Sequence, residues 1–307
     1  MPKIHVLKTI TIQAPIDKVY ARLNDFNYWA EWSPWLIMEP EAKVNVTAEG
    51  KHYQWAGDRV GEGNMQVLSE QHNKKIDYAL NFLKPWKSKA EVSFVLSEKN
   101  DAVEVSWSME SKLPFFLFWM KKMMIAYIGM DYQRGLNMLK EVIETGVVSS
   151  RLEFIGESYS SPCHYIGLKT SCSQAEISHA MQRDFAKLQD VIQNLDHRPI
   201  AQPFSIYHKW DMVKKSVDYT VGIPLAQIPA TIPMGFVAAS IPATQVYTIR
   251  HIGKYEHLGN AWSTLYTMQQ NNEINCNKKI HPFEVYVNDP ATTQPTDLIT
   301  DIHFPLK

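Results

Sequence analysis

Phe283-Glu284-Val285-Tyr286-Val287-Asn288-Asp289-Pro290 decides how the second half of this chain is read. Its aromatic and aliphatic residues, closed by an Asn-Asp-Pro turn signal, predict a strand. One carboxylate, Glu284, stands among the apolar positions. An earlier stretch has the same frame: Phe204-Ser205-Ile206-Tyr207, then Lys209-Trp210-Asp211 and, further on, Tyr219 to Leu225. The later copy continues through Asn288-Asp289-Pro290 to Leu298 and on to Leu306. Each copy opens with a short strand, around Tyr165 and Tyr247, followed by a helical stretch. The two halves therefore read as two copies of one strand-helix-strand-strand unit. Phe204 and Phe283, alike in both copies, are expected in the core. Glu284 aligns with Ser205, so only the second copy carries an acid there. Two like sheets packed side by side would leave a central cleft, with Glu284 near it.

Working outward, 307 residues make about two domains the natural expectation. Nine Trp, fourteen Tyr and twelve Phe exceed what an ordinary core requires, so some should line cavities. Lys plus Arg number 31 against 32 Asp plus Glu, which leaves no electrostatic footprint for nucleic acid. Cys163, Cys172 and Cys276 are odd in number and show no Cys-x-x-Cys spacing, and no secretory leader pattern stands at the start. A cytoplasmic location is the expectation. Eleven His are scattered without His-Glu-x-x-His or zinc spacing, and no phosphate-cradling glycine loop occurs, so neither metal nor cofactor is expected. No sequence feature sets the oligomeric state.

The first half alternates from Lys3 to Gln13 as a half-buried strand does. A helix follows from Ala14-Pro15-Ile16-Asp17, carrying Val19, Tyr20, Leu23 and Phe26. Next comes an aromatic element, Tyr28 to Leu36, broken by Pro34. Short strands separated by turn signals run from Ala42 to Glu110, which argues for a curved antiparallel sheet. A long helix closes this half, with Leu136, Leu139, Val142 and Ile143 at helical spacing. The apolar run Leu113 to Met130 holds Pro114 near its start and Lys121-Lys122 in its middle, so a membrane-spanning helix is rejected. An amphipathic helix packed across a sheet, or a lid over a pocket mouth, stays open. The fold class is α+β: a helix-grip sheet around a long helix, then duplicated strand-helix-strand-strand units with a central cleft.

Residues 3–145 resemble the START-like, polyketide-cyclase-type ligand-binding superfamily. The resemblance rests on Ala14-Pro15-Ile16-Asp17-Lys18-Val19-Tyr20, Trp32-Ser33-Pro34-Trp35, Gly61-Glu62-Gly63 and Gly135-Leu136-Asn137-Met138-Leu139-Lys140. These are structural motifs, and they imply a cavity rather than a reaction. Residues 158–307 resemble the gyrase-inhibitor-like domain, which also forms the effector-binding part of some multidrug-responsive transcription regulators. Tyr165-Ile166-Gly167-Leu168, Arg250 to Gly259, Trp262 with Leu265-Tyr266, Phe283 to Pro290 and Asp301 to Leu306 carry that resemblance. A boundary near Ser149-Ser150 gives domains 1–149 and 150–307. The second resemblance implies a central pocket for bulky, apolar, often cationic molecules, with an acid at its base that matches Glu284. Regulators of that kind place a helix-turn-helix reader in front of the domain. Here the START-like domain stands instead, so direct nucleic-acid binding is not expected.

A carboxylate among apolar groups is costly unless paired, and desolvation raises its pKa. An incoming organic cation would restore the ionised form, while Trp262, Tyr255 and Tyr266 could stack on it for about 0.5–2 kcal/mol per contact. The competing reading of Glu284 is a solvated or salt-bridged strand residue. For Trp262 and Tyr266 it is a core-facing helix stripe. Tyr165 from the first copy and Phe236 from the proline-rich connector Ala226 to Ala243, read as a loop over the cleft, complete the ligand-binding candidates. The expected role is a sensor, carrier or sequestering protein for hydrophobic or cationic small molecules. The alternative is a hydrolase of reactive small molecules, with Glu284 and Tyr286 as its acid-base pair.

Overall fold

The computed structural model describes residues 3–113, 115–194 and 198–307. The chain divides into two compact units, Met1–Ser149 and Ser150–Lys307.

In the first unit β1 (Lys3–Ile12) and α1 (Ile16–Asn24) precede two short 3-10 turns that hold Trp29, Trp32 and Trp35. The meander is β2 (Lys43–Val46), β3 (His52–Gly57), β4 (Gly61–Gln71), β5 (Lys75–Lys84), β6 (Ser88–Lys99) and β7 (Ala102–Lys112). All pairings are antiparallel, and β1 returns to pair with β7, giving the order β1-β7-β6-β5-β4-β3-β2. The 3-10 stretch Phe115–Met120 leads into α2 (Lys121–Thr145), while Pro114 lies outside the described residues. α2 buries Tyr132, Leu136, Leu139 and Ile143, spaced so that one face meets the sheet. Gly146 ends it at φ 91°, a left-handed conformation that costs glycine little, and its N–H is donated to the Val142 carbonyl.

Aromatic side chains pack on one another between the sheet and α2. Trp107 stacks on Tyr132 at 3.8 Å and on Phe94 at 4.9 Å, and Trp29 and Trp32 pack against one another at 4.9 Å. Rings this large take up the space that smaller aliphatic residues would leave.

The second unit begins with β8 (Ser150–Ser160). The first copy is β9 (Cys163–Ser173), α3 (Ile177–Asn194), β10 (Phe204–Asp211) and β11 (Ser216–Leu225). The connector is not all loop. Val237–Ile241 forms β12 along the edge of β9, because its β-capable run lies between the breaks at Pro233 and Pro242. The second copy is β13 (Thr244–Gly253), α4 (Gly259–Gln270), β14 (Phe283–Tyr286) and β15 (Ile299–Pro305).

The copies do not make two sheets. They join through β10 and β14 into one antiparallel sheet, ordered β12-β9-β11-β10-β14-β15-β13-β8. Only Pro242 and Ala243 separate β12 from β13, a link of at most about 11 Å. Six strand spacings in a flat sheet would separate them by about 29 Å. The sheet must therefore curl until its ends approach. Its inner face holds Tyr165, Phe204, Ile206, Ile241, Val246 and Phe283. Gly222 sits opposite Phe204, where a Cβ would fall 2.5 Å from the ring, so a side chain there would expel it. The outer face carries α3 on Val217, Tyr219 and Val221, and α4 on Ile249, Ile302 and Phe304.

Candidate functional site

The seam between the two copies builds the site. β10 and β14 pair Phe204 with Val285, Ser205 with Glu284 and Ile206 with Phe283. In repeat numbering Ser205 and Glu284 are the same position, so the pseudo-twofold axis relating the copies passes between them. Side chains alternate along a strand, which turns Phe204 and Phe283 inward and Ser205, Tyr207, Glu284 and Tyr286 toward the helices. The duplicated tyrosines thus converge on the one residue that breaks the symmetry. Tyr286 Oη donates to Glu284 Oε2 at 2.8 Å and Tyr207 Oη donates to the same oxygen at 3.1 Å. Trp262, on α4, donates its indole N–H to Oε1. Tyr286 Oη also lies 3.0 Å from Ser205 Oγ; its single proton serves the carboxylate, so Ser205 is the donor in that contact.

Glu284 is 2 % exposed and Ser205 fully buried. Among the described residues, the carboxylate's hydrogen-bond partners are all neutral. Such bonds to a charged group return about 1.5–3 kcal/mol each, against an ion desolvation cost of several kcal/mol. Burial pushes the Glu284 carboxyl above its ordinary value, and the bonds from Trp262, Tyr286 and Tyr207 oppose that shift without cancelling it. Burial, and then the charge of Glu284, pushes the Tyr207 and Tyr286 hydroxyls well up. The Tyr255 hydroxyl is pushed up to about 12 by burial first, then by Glu284 and Asp289.

Asp184, on α3, gives the contrast. It is as buried as Glu284, but it accepts from Thr170 Oγ1 at 2.7 Å and Tyr219 Oη at 2.8 Å and forms an ion pair with Arg183 at 2.9 Å. That acid carries its cation with it. Glu284 does not.

Aromatic rings surround the acid in order of exposure. Trp262 packs edge-on to Tyr207 at 5.0 Å and belongs to the packing of both helices, which fixes it over the seam. Tyr266 stacks on Trp262 at 6.0 Å and Tyr255 meets Tyr286 edge-on at 5.9 Å. Both outer rings are exposed, at 40 % and 36 %, so aromatic surface leads from solvent toward a closed, acidic base. Of the residues singled out in the sequence, Glu284, Tyr286, Trp262, Tyr266 and Tyr255 come together. Phe236 packs on the α3 cluster, to which Trp262 and Tyr207 also belong. Tyr165 does not join them: it is buried on the inner face of the sheet, edge-on to Phe204 at 5.1 Å. Alternation along β9 turns it away from the helices. Sequence reasoning missed Tyr207 as a site residue, although Phe-x-x-Tyr recurs in both copies at Phe204–Tyr207 and Phe283–Tyr286. It also missed Phe185 of α3, whose ring meets Tyr286 edge-on at 5.5 Å.

Residues 159–307 match the family described as GyrI-like small molecule binding domain, and residues 3–144 match the family described as polyketide cyclase / dehydrase and lipid transport. Similar solved structures include EcmrR in a DNA complex, 17% identical over 63% of this chain and 72% of that chain, TM-score 0.45. Protein MLL2253 from Mesorhizobium loti is 15% identical over 45% of this chain and 96% of that chain, TM-score 0.36. SAV2435 bound to tetraphenylphosphonium is 15% identical over 50% of this chain and 94% of that chain, TM-score 0.41. No curated protein matches the sequence. No helix among the described residues is long and apolar enough to cross a membrane.

Proposed function

We propose that this chain, which joins a polyketide-cyclase-type domain to a GyrI-like small molecule binding domain, captures lipophilic organic cations at the seam of its second unit, as a sensor, carrier or sequestering protein. One observation carries the reading: a buried carboxylate on the pseudo-twofold axis has neutral donors around it and, among the described residues, no cation of its own. A ligand cation supplies the missing charge, and the rings of Trp262, Tyr255 and Tyr266 supply apolar contact and cation-π attraction of about 0.5–2 kcal/mol each. Because Trp262 holds Oε1, a cation reaching the acid directly takes over that indole's place. Cations that stop at the outer rings bind more weakly.

The test is titration of the full chain and its Glu284→Gln variant with tetraphenylphosphonium and with the neutral analogue triphenylphosphine oxide, by calorimetry. Loss of a charge-assisted contact of about 1.5–3 kcal/mol predicts a ten- to hundredfold weaker cation affinity in the variant. Neutral-ligand affinity should stay unchanged. Affinity for the cation in the unmodified chain should also rise with pH until Glu284 is fully ionised. Equal affinity of both proteins for the cation would sink the reading. The 2.8 Å contact of Tyr286 with Glu284 favours a second reading, a hydrolase in which the pair handles protons. Mass spectrometry of reactive small molecules incubated with both proteins separates the two: turnover lost in Glu284→Gln marks an enzyme, and binding without product marks a receptor.

A further inference from the structure

Two segments unconnected with Glu284 lie at one end of the first sheet. The register pairs Ala90 with Ser111 and Lys3 with Lys112, so the start of β6, the end of β7 and the start of β1 share that end. The turn between β5 and β6 leaves from it, and so does the stretch that leads into α2. Each segment exposes a tryptophan: Trp86 is 58 % and Trp119 is 67 % accessible. Phe118 is exposed as well, and Trp119, Met123 and Tyr127, four residues apart, continue as an apolar stripe on the outer side of the helix start. Single exposed apolar residues are ordinary on a protein surface, but indoles from two separate segments at one sheet end are not.

Lysines cluster around them. Lys87, Lys89, Lys112 and Lys122 are exposed at this end. Lys121 and Lys122 open α2 with no acid in its first turn, although cations oppose the helix dipole there and acids would favour it. That arrangement works against the helix and suits an anionic surface outside it. The acids nearby include Glu62, tied to Lys84, Asp58, whose charge also acts on Lys84, and Glu91 and Glu110, which face each other across β6 and β7. A protein partner is the weaker fit, because protein interfaces are depleted in lysine where they are rich in tryptophan. The boundary of a bilayer takes both: indoles settle among headgroups and lysines reach phosphate.

We infer that this end of the first unit docks on the surface of anionic phospholipid bilayers, with Trp86 and Trp119 seated at headgroup depth and the lysines of the α2 start against lipid phosphate. The contact is peripheral, since α2 does not cross the bilayer.

The experiment is co-sedimentation of the full chain with vesicles of phosphatidylcholine alone and with vesicles containing about one-third phosphatidylglycerol. Binding should require the anionic lipid and weaken at high salt. Replacing Lys121 and Lys122 by alanine should lower the partition about thirtyfold. The pair Trp86→Ala and Trp119→Ala should lower it on the order of tenfold. Trp86, Trp119 and Lys122 are exposed and Lys121 is half-buried, so unchanged circular dichroism and thermal melting should accompany either loss. Binding to neither vesicle, equal binding to both, or binding that survives both variants overturns the inference. So does a dimer in size-exclusion chromatography that both variants dissociate, because a second copy would then be what covers the surface.

Discussion

Both halves of this protein gather aromatic side chains against an antiparallel sheet, yet they do opposite things with them. In the first unit Trp29, Trp32, Phe94, Trp107 and Tyr132 pack on one another. In the second unit Tyr207, Tyr286 and Trp262 point polar atoms at a single acid, and Tyr255 and Tyr266 stand exposed outside them. Ring faces satisfy ring faces in the first. In the second, the donors are committed to a charge that burial disfavours, and the proposed cation binding rests on that arrangement.

The largest expected effect lies in the first unit. Trp107→Ala removes the ring between Phe94 and Tyr132 and should lower that unit's stability by about 3–5 kcal/mol in urea unfolding. Tetraphenylphosphonium affinity should not change. If affinity fell with stability, the two aromatic clusters would not be independent and the contrast between them would break.

A smaller effect separates buried charge from buried neutral groups within the second unit. His251 is fully buried, and burial, then the neighbouring His257, lowers its pKa to about 4. Ser150 Oγ is 3.0 Å from His251 Nε2 and accepts from Asn260 Nδ2, and burial favours the neutral imidazole. A group whose folded pKa is depressed contributes stability above its unfolded pKa, here the ordinary 6.5, and loses it as pH falls toward 4. The second unit should therefore lose roughly 3 kcal/mol on this account between those values. Glu284 has the opposite sign. Its raised pKa makes the folded state bind its proton more tightly, so its contribution is full below the unfolded value near 4.5 and is lost as pH rises through the folded one. The stability of Glu284→Gln relative to the unmodified chain should accordingly increase with pH. A difference that is flat with pH, in urea unfolding across that range, would mean that the acid is not held as burial dictates.

The smallest effect sharpens the site itself. Tyr286→Phe removes one of the two donors to Oε2 and should weaken cation binding near neutral pH by about 1.5–3 kcal/mol. Without that donor the carboxyl holds its proton more firmly, so the deficit should shrink as pH rises. Calorimetric titrations at two pH values check this, and a pH-independent deficit would assign Tyr286 to packing against the ligand instead.

Much of this was legible along the chain. Period-two alternation marks β1 and the meander because one face of each strand is buried, and the helical spacing of Leu136, Leu139 and Ile143 marks the long helix. The repeat was visible in Phe204–Tyr207 and Phe283–Tyr286, and so was the oddity of Glu284 against Ser205. Less legible were residues whose roles depend on distant strands. Tyr207 looked like a repeat of Tyr286 and no more, and Tyr165 looked like a cleft residue because nothing local says which way β9 faces.

By itself, then, the sequence determined the α+β class, the two family signatures, the duplication and the one acid that breaks it, since periodicity and residue type are local quantities. Only the tertiary structure decided that the copies join at β10 and β14, which sets Glu284 opposite Ser205 and brings both tyrosines and Trp262 to one carboxylate. It also decided that the sheet curls, sending Tyr165 to the inner face, and which aromatic rings stack in the first unit. The reason is common to all of these. Strand pairing and side-chain volume are settled by partners far along the chain, and a stretch of sequence carries no record of what it will face.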